Sequence, residues 1–155
     1  MDGAPVETVI RIVVPGAPKA WQRAGHRIIA PKGKKAFVST YTPAQTRSEQ
    51  DAIKLFASLA MQGRPPLEGP LDLRFAAYFA VPDSWSAKKK AQALEGIIRP
   101  TRKPDADNLV KQCDALNGLV FKDDSQITDV AVWKRYSDRP RVVIEIRPIG
   151  AGGAA

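Results

Sequence analysis

Residues 71–82, LDLRFAAYFAVP, place Leu71, Leu73, Phe75 and Ala77 at every second position, the period of a strand that buries one face. TVIRIVVPG (8–16) reads as an earlier strand, stopped by Pro15-Gly16. QITDVAVWKRYS (126–137) and RPRVVIEIRPI (139–149) alternate in the same way and meet near Asp138, which predicts a hairpin. Helical patterns lie between these strands. In TPAQTRSEQDAIKLFASLAMQ (42–62), Thr42 is placed to cap, Pro43 suits the first helical position and Gly63 ends the run. Ile53, Phe56, Ala57 and Ala60 repeat there at helical spacing. A second helix, capped by Asp83 or Ser84, runs through Leu94, and a third runs from Asp107 to Asn117, with Asn117-Gly118 as its stop. The order is β, basic loop, α, β, α, α, β, β. It predicts an α+β fold, a small, mostly antiparallel or mixed sheet with helices packed on one face. The expectation is one domain over residues 1–149, followed by a low-complexity, disordered tail, GAGGAA, at 150–155.

Several function classes drop out. No apolar run reaches the roughly 18–20 residues of a membrane span. The N-terminus lacks a basic head followed by an apolar stretch, so a cytoplasmic location is expected. The chain has one cysteine, Cys113, and one histidine, His26. An intrachain disulfide is impossible, and a Cys/His zinc site is nearly excluded. A nucleophilic triad would have to use His26, and nothing around it supports one. Metal chemistry, if there is any, falls to carboxylates, and oxygen ligands favour Mg²⁺ or Mn²⁺.

The charge is unevenly spread. The chain carries a formal +8, yet residues 105–129 hold six Asp and two Lys, while residues 11–50 hold eight Lys/Arg and one acid, Glu49. Clustered bases suggest a polyanionic partner, most often nucleic acid, although a solubility surface explains the charge equally well. Residues 16–42 form a long basic loop broken by Pro18, Gly25, Pro31 and Gly33; HRIIA and AFVSTY can pair within it as a short hairpin.

At about 100° per residue, Asp107, Lys111 and Asp114 share one face of the third helix, and Leu109, Cys113 and Leu116 share the other. Asp105 stands just before this helix. Asp123 and Asp124 return after a short GLVFK connection. Several carboxylates gathered together repel unless a cation sits among them. A Mg²⁺ ion accepts one or two carboxylates and keeps waters, leaving room for a phosphate oxygen. Lys111 can neutralise phosphate charge. Bland explanations exist for each residue alone: Asp107 as a helix cap, Asp123-Asp124 as a polar turn, Lys111 as an i,i+4 partner, the three tryptophans as packing. The joint pattern favours the chemical reading.

That pattern, KPDADNLVKQCDALNG…FKDDSQI, resembles the signature of the RusA family of Holliday-junction resolvases: a D-x-D-N pair, a lysine soon after, a D-A-L segment and a later D-D-x-Q. PGAPKAWQR and YTPAQTRSEQ resemble the N-terminal pattern of phage and prophage members, so the resemblance spans roughly residues 8–147. The resemblance implies an α+β homodimer with two metal-dependent sites that cuts four-way DNA junctions symmetrically, in recombination and repair. Asp105, Asp107 and Asp124 would hold Mg²⁺, with Mn²⁺ as a substitute and Asp123 as a neighbouring acid. Lys111 matches the family's essential lysine, and Asp114 is expected to be structural. Lys19, Arg23, Arg27, Lys34, Lys35, Lys88, Lys89, Arg99, Arg102 and Lys103 would contact the phosphates of junction arms. Two alternatives stay open: a non-catalytic branched-DNA-binding protein of the same fold, and a nuclease for forks or flaps.

Overall fold

A computed structural model of the chain describes residues 8–150. Apart from Gly150, the expected disordered tail lies outside the described residues. Four strands form the main sheet: β1 (Ile10–Pro15), β4 (Leu71–Ala80), β5 (Ile127–Ser137) and β6 (Arg141–Pro148), in the order β1-β6-β4-β5. β6 pairs antiparallel with both β1 and β4, whereas β4 and β5 run parallel, so the sheet is mixed. The fold is α+β, as the alternation of patterns implies.

The period-two reading identifies the buried face. Leu71, Leu73, Phe75 and Ala77 of β4 are fully buried, together with Ile10 and Ile12 of β1 and Ile144 and Ile146 of β6. Over this face lie α1 (Ala44–Met61), through Ile53, Ala57 and Met61, and α3 (Ala106–Val110) with the 3-10 segment Lys111–Leu116 that follows it. α2 (Ala87–Leu94) packs against β5. Burying a side chain such as Phe75 or Leu73 contributes about 1.5–3 kcal/mol each.

Four local expectations are corrected. First, β5 and β6 are not a hairpin. They are joined near Asp138, but β4 lies between them and pairs with both. β4 alternates buried and partly exposed residues along its length and has a partner on each edge, so the turn passes over its end instead of closing a tight pair. Second, Thr42 does not cap α1: the cap position is Pro43, which has no side-chain donor or acceptor to offer. Third, α2 is capped by Ser86, whose hydroxyl accepts from the Lys89 N–H at 3.2 Å, and not by Asp83 or Ser84. Residues 82–85 form a turn first, closed by the Trp85 N–H on the Pro82 carbonyl. Fourth, the third helix is α-helical for only five residues before it tightens to 3-10, a common way to end a short helix.

The hairpin expected within the basic loop is present. β2 (Gly25–Ile29) and β3 (Phe37–Tyr41) pair antiparallel as a separate two-stranded ribbon. The Tyr41 ring lies over Gly25, where any side chain would collide with it.

Candidate functional site

The acidic stretch begins at the head of α3. Asp105 is its N-cap residue in extended conformation, without a side-chain capping bond, and Asp107 lies in the first turn. Both are exposed, as are Lys111 and Asp114, while Leu109, Cys113 and Leu116 are buried. The helical phasing read from sequence therefore separates buried from exposed side chains correctly, and it survives the change to 3-10 geometry.

Lys111, Asp114 and Asp124 line one cleft of about 240 Å³, floored by Leu73, Val110, Cys113, Ile127 and Val130. Asp124 reaches it because the chain doubles back after Gly118 and places Asp124–Gln126 at the start of β5. The Asp114 carboxyl is pushed above the usual carboxylate range, first by partial burial and then by the charge of Asp124, with Lys111 pulling the other way. Asp114, expected to be structural, lines this cleft. A larger cleft of about 330 Å³ lies on the opposite face of the sheet, but Glu145 is its only carboxylate among five polar or charged and three apolar lining residues that include Arg11, Arg74 and Arg135.

Gln126, the final residue of the D-D-x-Q pattern, holds the returning segment. Its Oε1 accepts from the N–H of Lys122 at 2.9 Å and of Asp123 at 3.1 Å. Its Nε2 donates to the carbonyls of Leu67 and Gly69, each at 3.0 Å. Asp123 is engaged locally: it caps the Asp124–Gln126 turn and accepts a short bond from the Ser125 hydroxyl, which holds its carboxyl below the usual range.

Asn108, the N of the D-x-D-N pattern, reaches across to the basic loop. Its Oδ1 accepts from the Trp21 N–H at 3.0 Å, and its Nδ2 donates to the Trp21 carbonyl at 3.2 Å. Buried Gln112 donates to the Lys19 carbonyl at 2.5 Å, and Thr46 both accepts from the Gln22 N–H at 2.8 Å and donates to the Gln22 carbonyl at 3.3 Å. Residues 19–22 are thereby fixed against the acidic helix and α1. No local pattern in the sequence marks the roles of Asn108, Gln112, Thr46 or Gln126. For Asn108 and Gln126 the motif itself is the available signal.

The expected DNA-contacting cations fall into three groups. Arg23, Arg27, Lys34 and Lys35 are exposed on or beside the β2–β3 ribbon, but Lys19 is paired with Glu49 at 3.2 Å. Lys88 and Lys89 lie on α2, with the Lys89 ammonium 3.9 Å from the centroid of the Trp85 ring. Trp85 also meets Tyr136 edge-on, at 5.3 Å between centroids, which makes it a packing residue. Arg99 Nε donates to the Gly96 carbonyl, while Arg102 and Lys103 lead into the acidic helix through a cis Lys103–Pro104 peptide. Lys134 Nζ, which has no place in the sequence motifs, donates to the Arg102 carbonyl at 2.6 Å and ties this basic segment to β5.

Among the described residues, no three His, Cys, Asp or Glu side chains come together in a group that could hold a metal ion. The donor chemistry still fits a hard cation: Asp114 and Asp124 share a cleft with mutual repulsion, and Asp105 and Asp107 form no ion pair among the described residues at the head of α3. A Mg²⁺ ion needs only one or two carboxylates and keeps the rest of its shell as water.

A family model described as "Endodeoxyribonuclease RusA" matches residues 15–147. The chain is also 40% identical over 149 residues to a Bacillus subtilis protein, "Uncharacterized protein YqaN", an alignment covering 92% of this chain and 98% of the relative. Among the described residues, no helix is long and apolar enough to cross a membrane.

Proposed function

The chain belongs to the RusA endodeoxyribonuclease family, and from that premise we propose that it is a Mg²⁺-dependent, structure-selective nuclease that resolves four-way DNA junctions. On this reading it acts as a homodimer in the cytoplasm, in recombination and repair, and makes one nick per protomer. A two-fold dimer presents two matched sites to a substrate that needs two opposed cuts.

The observation that carries the reading is the cleft lined by Lys111, Asp114 and Asp124, in which partial burial and then the charge of Asp124 raise the Asp114 carboxyl. A binder of polyanions gains nothing from carboxylates turned toward phosphate; a hydrolase that needs a cation does. One or two of Asp105, Asp107 and Asp124 would hold the Mg²⁺, for which Mn²⁺ could substitute, with the remaining acids, Asp114 and Asp123 included, standing by. When bound, the cation supplies charge neutralisation at the scissile phosphate and an acidified water. Lys111 contributes a fixed positive charge to the phosphoryl oxygens as charge builds there. Asn108 and Gln112 hold the acidic helix against the basic loop, and Gln126 holds the turn that carries Asp123 and Asp124.

Cleavage of a synthetic four-way junction with Mg²⁺, set beside fork, flap and linear duplexes, tests the proposal. Preferential paired nicking of the junction supports it. Nicking of forks or flaps in preference, or no nicking with either Mg²⁺ or Mn²⁺, counts against it.

A further inference from the structure

The β2–β3 ribbon leaves large apolar side chains in water. Ile28 is 76% exposed, Val38 65%, Phe37 53% and Tyr41 46%. Ile28 lies directly opposite Val38 in the strand register, so the two form one apolar patch, and Phe37 extends the apolar surface onto the other face. Apart from their mutual pairing, β2 and β3 pack extensively against no other strand or helix among the described residues. An isolated two-stranded ribbon is marginal in water, and exposed apolar clusters mark interaction surfaces.

Charge narrows the choice of partner. Arg23, Arg27, Lys32, Lys34 and Lys35 sit on or beside the ribbon and form no ion pair among the described residues, and residues 16–42 contain no Asp or Glu. A second copy would bring the same cations on a chain of formal charge +8, and Lys is depleted at the centres of protein interfaces. A polyanion matches the charge. Dimensions then choose the groove: paired strands lie about 4.8 Å apart, and stacked sheets pack about 10 Å apart, so a ribbon with side chains on both faces is on the order of 10 Å thick. That fits the major groove, about 12 Å wide, and not the minor groove, about 6 Å. The ribbon's root is fixed at Trp21 and Gln22 by Asn108 and Thr46, beside the acidic helix.

We propose that the β2–β3 ribbon is an arm that lies in the major groove of a duplex next to the cleavage point. Arg27, Lys34 and Lys35 flank the phosphates, and Ile28 and Val38 press on base edges. This rests on the nuclease reading for the identity of the duplex, but its test does not depend on cleavage.

The test is dimethyl sulfate probing of guanine N7 in a four-way junction bound with EDTA present, using wild type, Ile28→Ser/Val38→Ser and Lys34→Gln/Lys35→Gln. Wild type should protect a short run of guanines in arms flanking the branch. The serine pair should lose most of that protection while keeping its far-UV spectrum and oligomeric mass. The glutamine pair should lower the salt slope of binding by about 0.9 for each phosphate it no longer neutralises. Bound wild type that leaves every N7 reactive, or protection that persists in the serine pair, overturns the proposal. A serine pair that changes oligomeric mass overturns it in favour of a second copy as the partner. Protection without metal-dependent nicking would refute the nuclease reading alone, and nicking without protection would refute the arm alone.

Discussion

Asn108 grips the backbone of Trp21, 87 positions away, through both ends of its amide: Oδ1 accepts the Trp21 N–H and Nδ2 donates to the Trp21 carbonyl. Two bonds between one side chain and one residue's backbone fix orientation as well as distance. The residue next to Asp107 is therefore one of two fasteners, with Gln112 on the Lys19 carbonyl, that join the acidic helix to the basic loop.

Replacing Asn108 with Ala should loosen that loop at Trp21, leaving the Gln112, Thr46 and Glu49 contacts and all the carboxylates in place. Each net hydrogen bond contributes about 1 kcal/mol, so the cost in stability should be about 1–3 kcal/mol. Junction affinity should fall more than linear-duplex affinity, because the ribbon cations lose their position relative to the cleft. Chemical denaturation and a binding titration on both DNAs check this. Unchanged junction affinity would mean that the fastener does not position the loop.

Asp114→Asn removes a carboxyl whose ionisation is opposed by burial and by Asp124. Its folded pKa is raised, so the folded state holds the proton more tightly than the unfolded one. Stability is therefore lost as pH rises from the usual carboxylate value through the raised folded value. The variant should melt higher than wild type at neutral pH, and the gap should close as pH falls below the usual carboxylate range. Thermal melts from pH 3 to 7 in EDTA measure it. A gap that widens toward acid would reverse the sign and contradict the assignment.

Cys113 lies beneath the cleft with its thiol pushed far above the usual range by burial, with a smaller push from Asp114. Only the thiolate reacts with a disulfide reagent, and burial blocks access as well. The native protein should react with such a reagent at least about 100-fold more slowly than the denatured chain. Equal rates would place the thiol at the surface.

Gln126→Ala should remove four hydrogen bonds that hold the turn carrying Asp123 and Asp124. With several of these groups partly exposed, about 1–3 kcal/mol of stability should be lost. Nicking should fall while junction binding is kept, since the ribbon is untouched. Loss of binding in step with nicking would mean that the turn serves DNA contact.

What could be read from sequence followed periodicity. The alternation in β4 gave its buried face residue by residue, and the phasing of Asp107, Lys111 and Asp114 against Leu109, Cys113 and Leu116 gave the two sides of the acidic helix. What could not be read was set by distant partners. β5 and β6 look like a hairpin because their turn is short, yet β4, more than 40 residues upstream, lies between them. Asp114 looks structural within its own segment and enters the cleft only because Asp124 folds back beside it. The tasks of Asn108 and Gln126 depend on Trp21, Leu67 and Gly69, which no local pattern connects to them.

The most direct measurement of the central claim compares wild type with Asp107→Asn on a four-way junction across a Mg²⁺ titration, with binding followed in parallel in EDTA. Wild type should nick in a Mg²⁺-dependent way, and the variant should nick about 100-fold more slowly or worse while binding the junction as tightly. A variant that cuts at the wild-type rate would contradict the assignment of the acidic stretch as the metal-holding site.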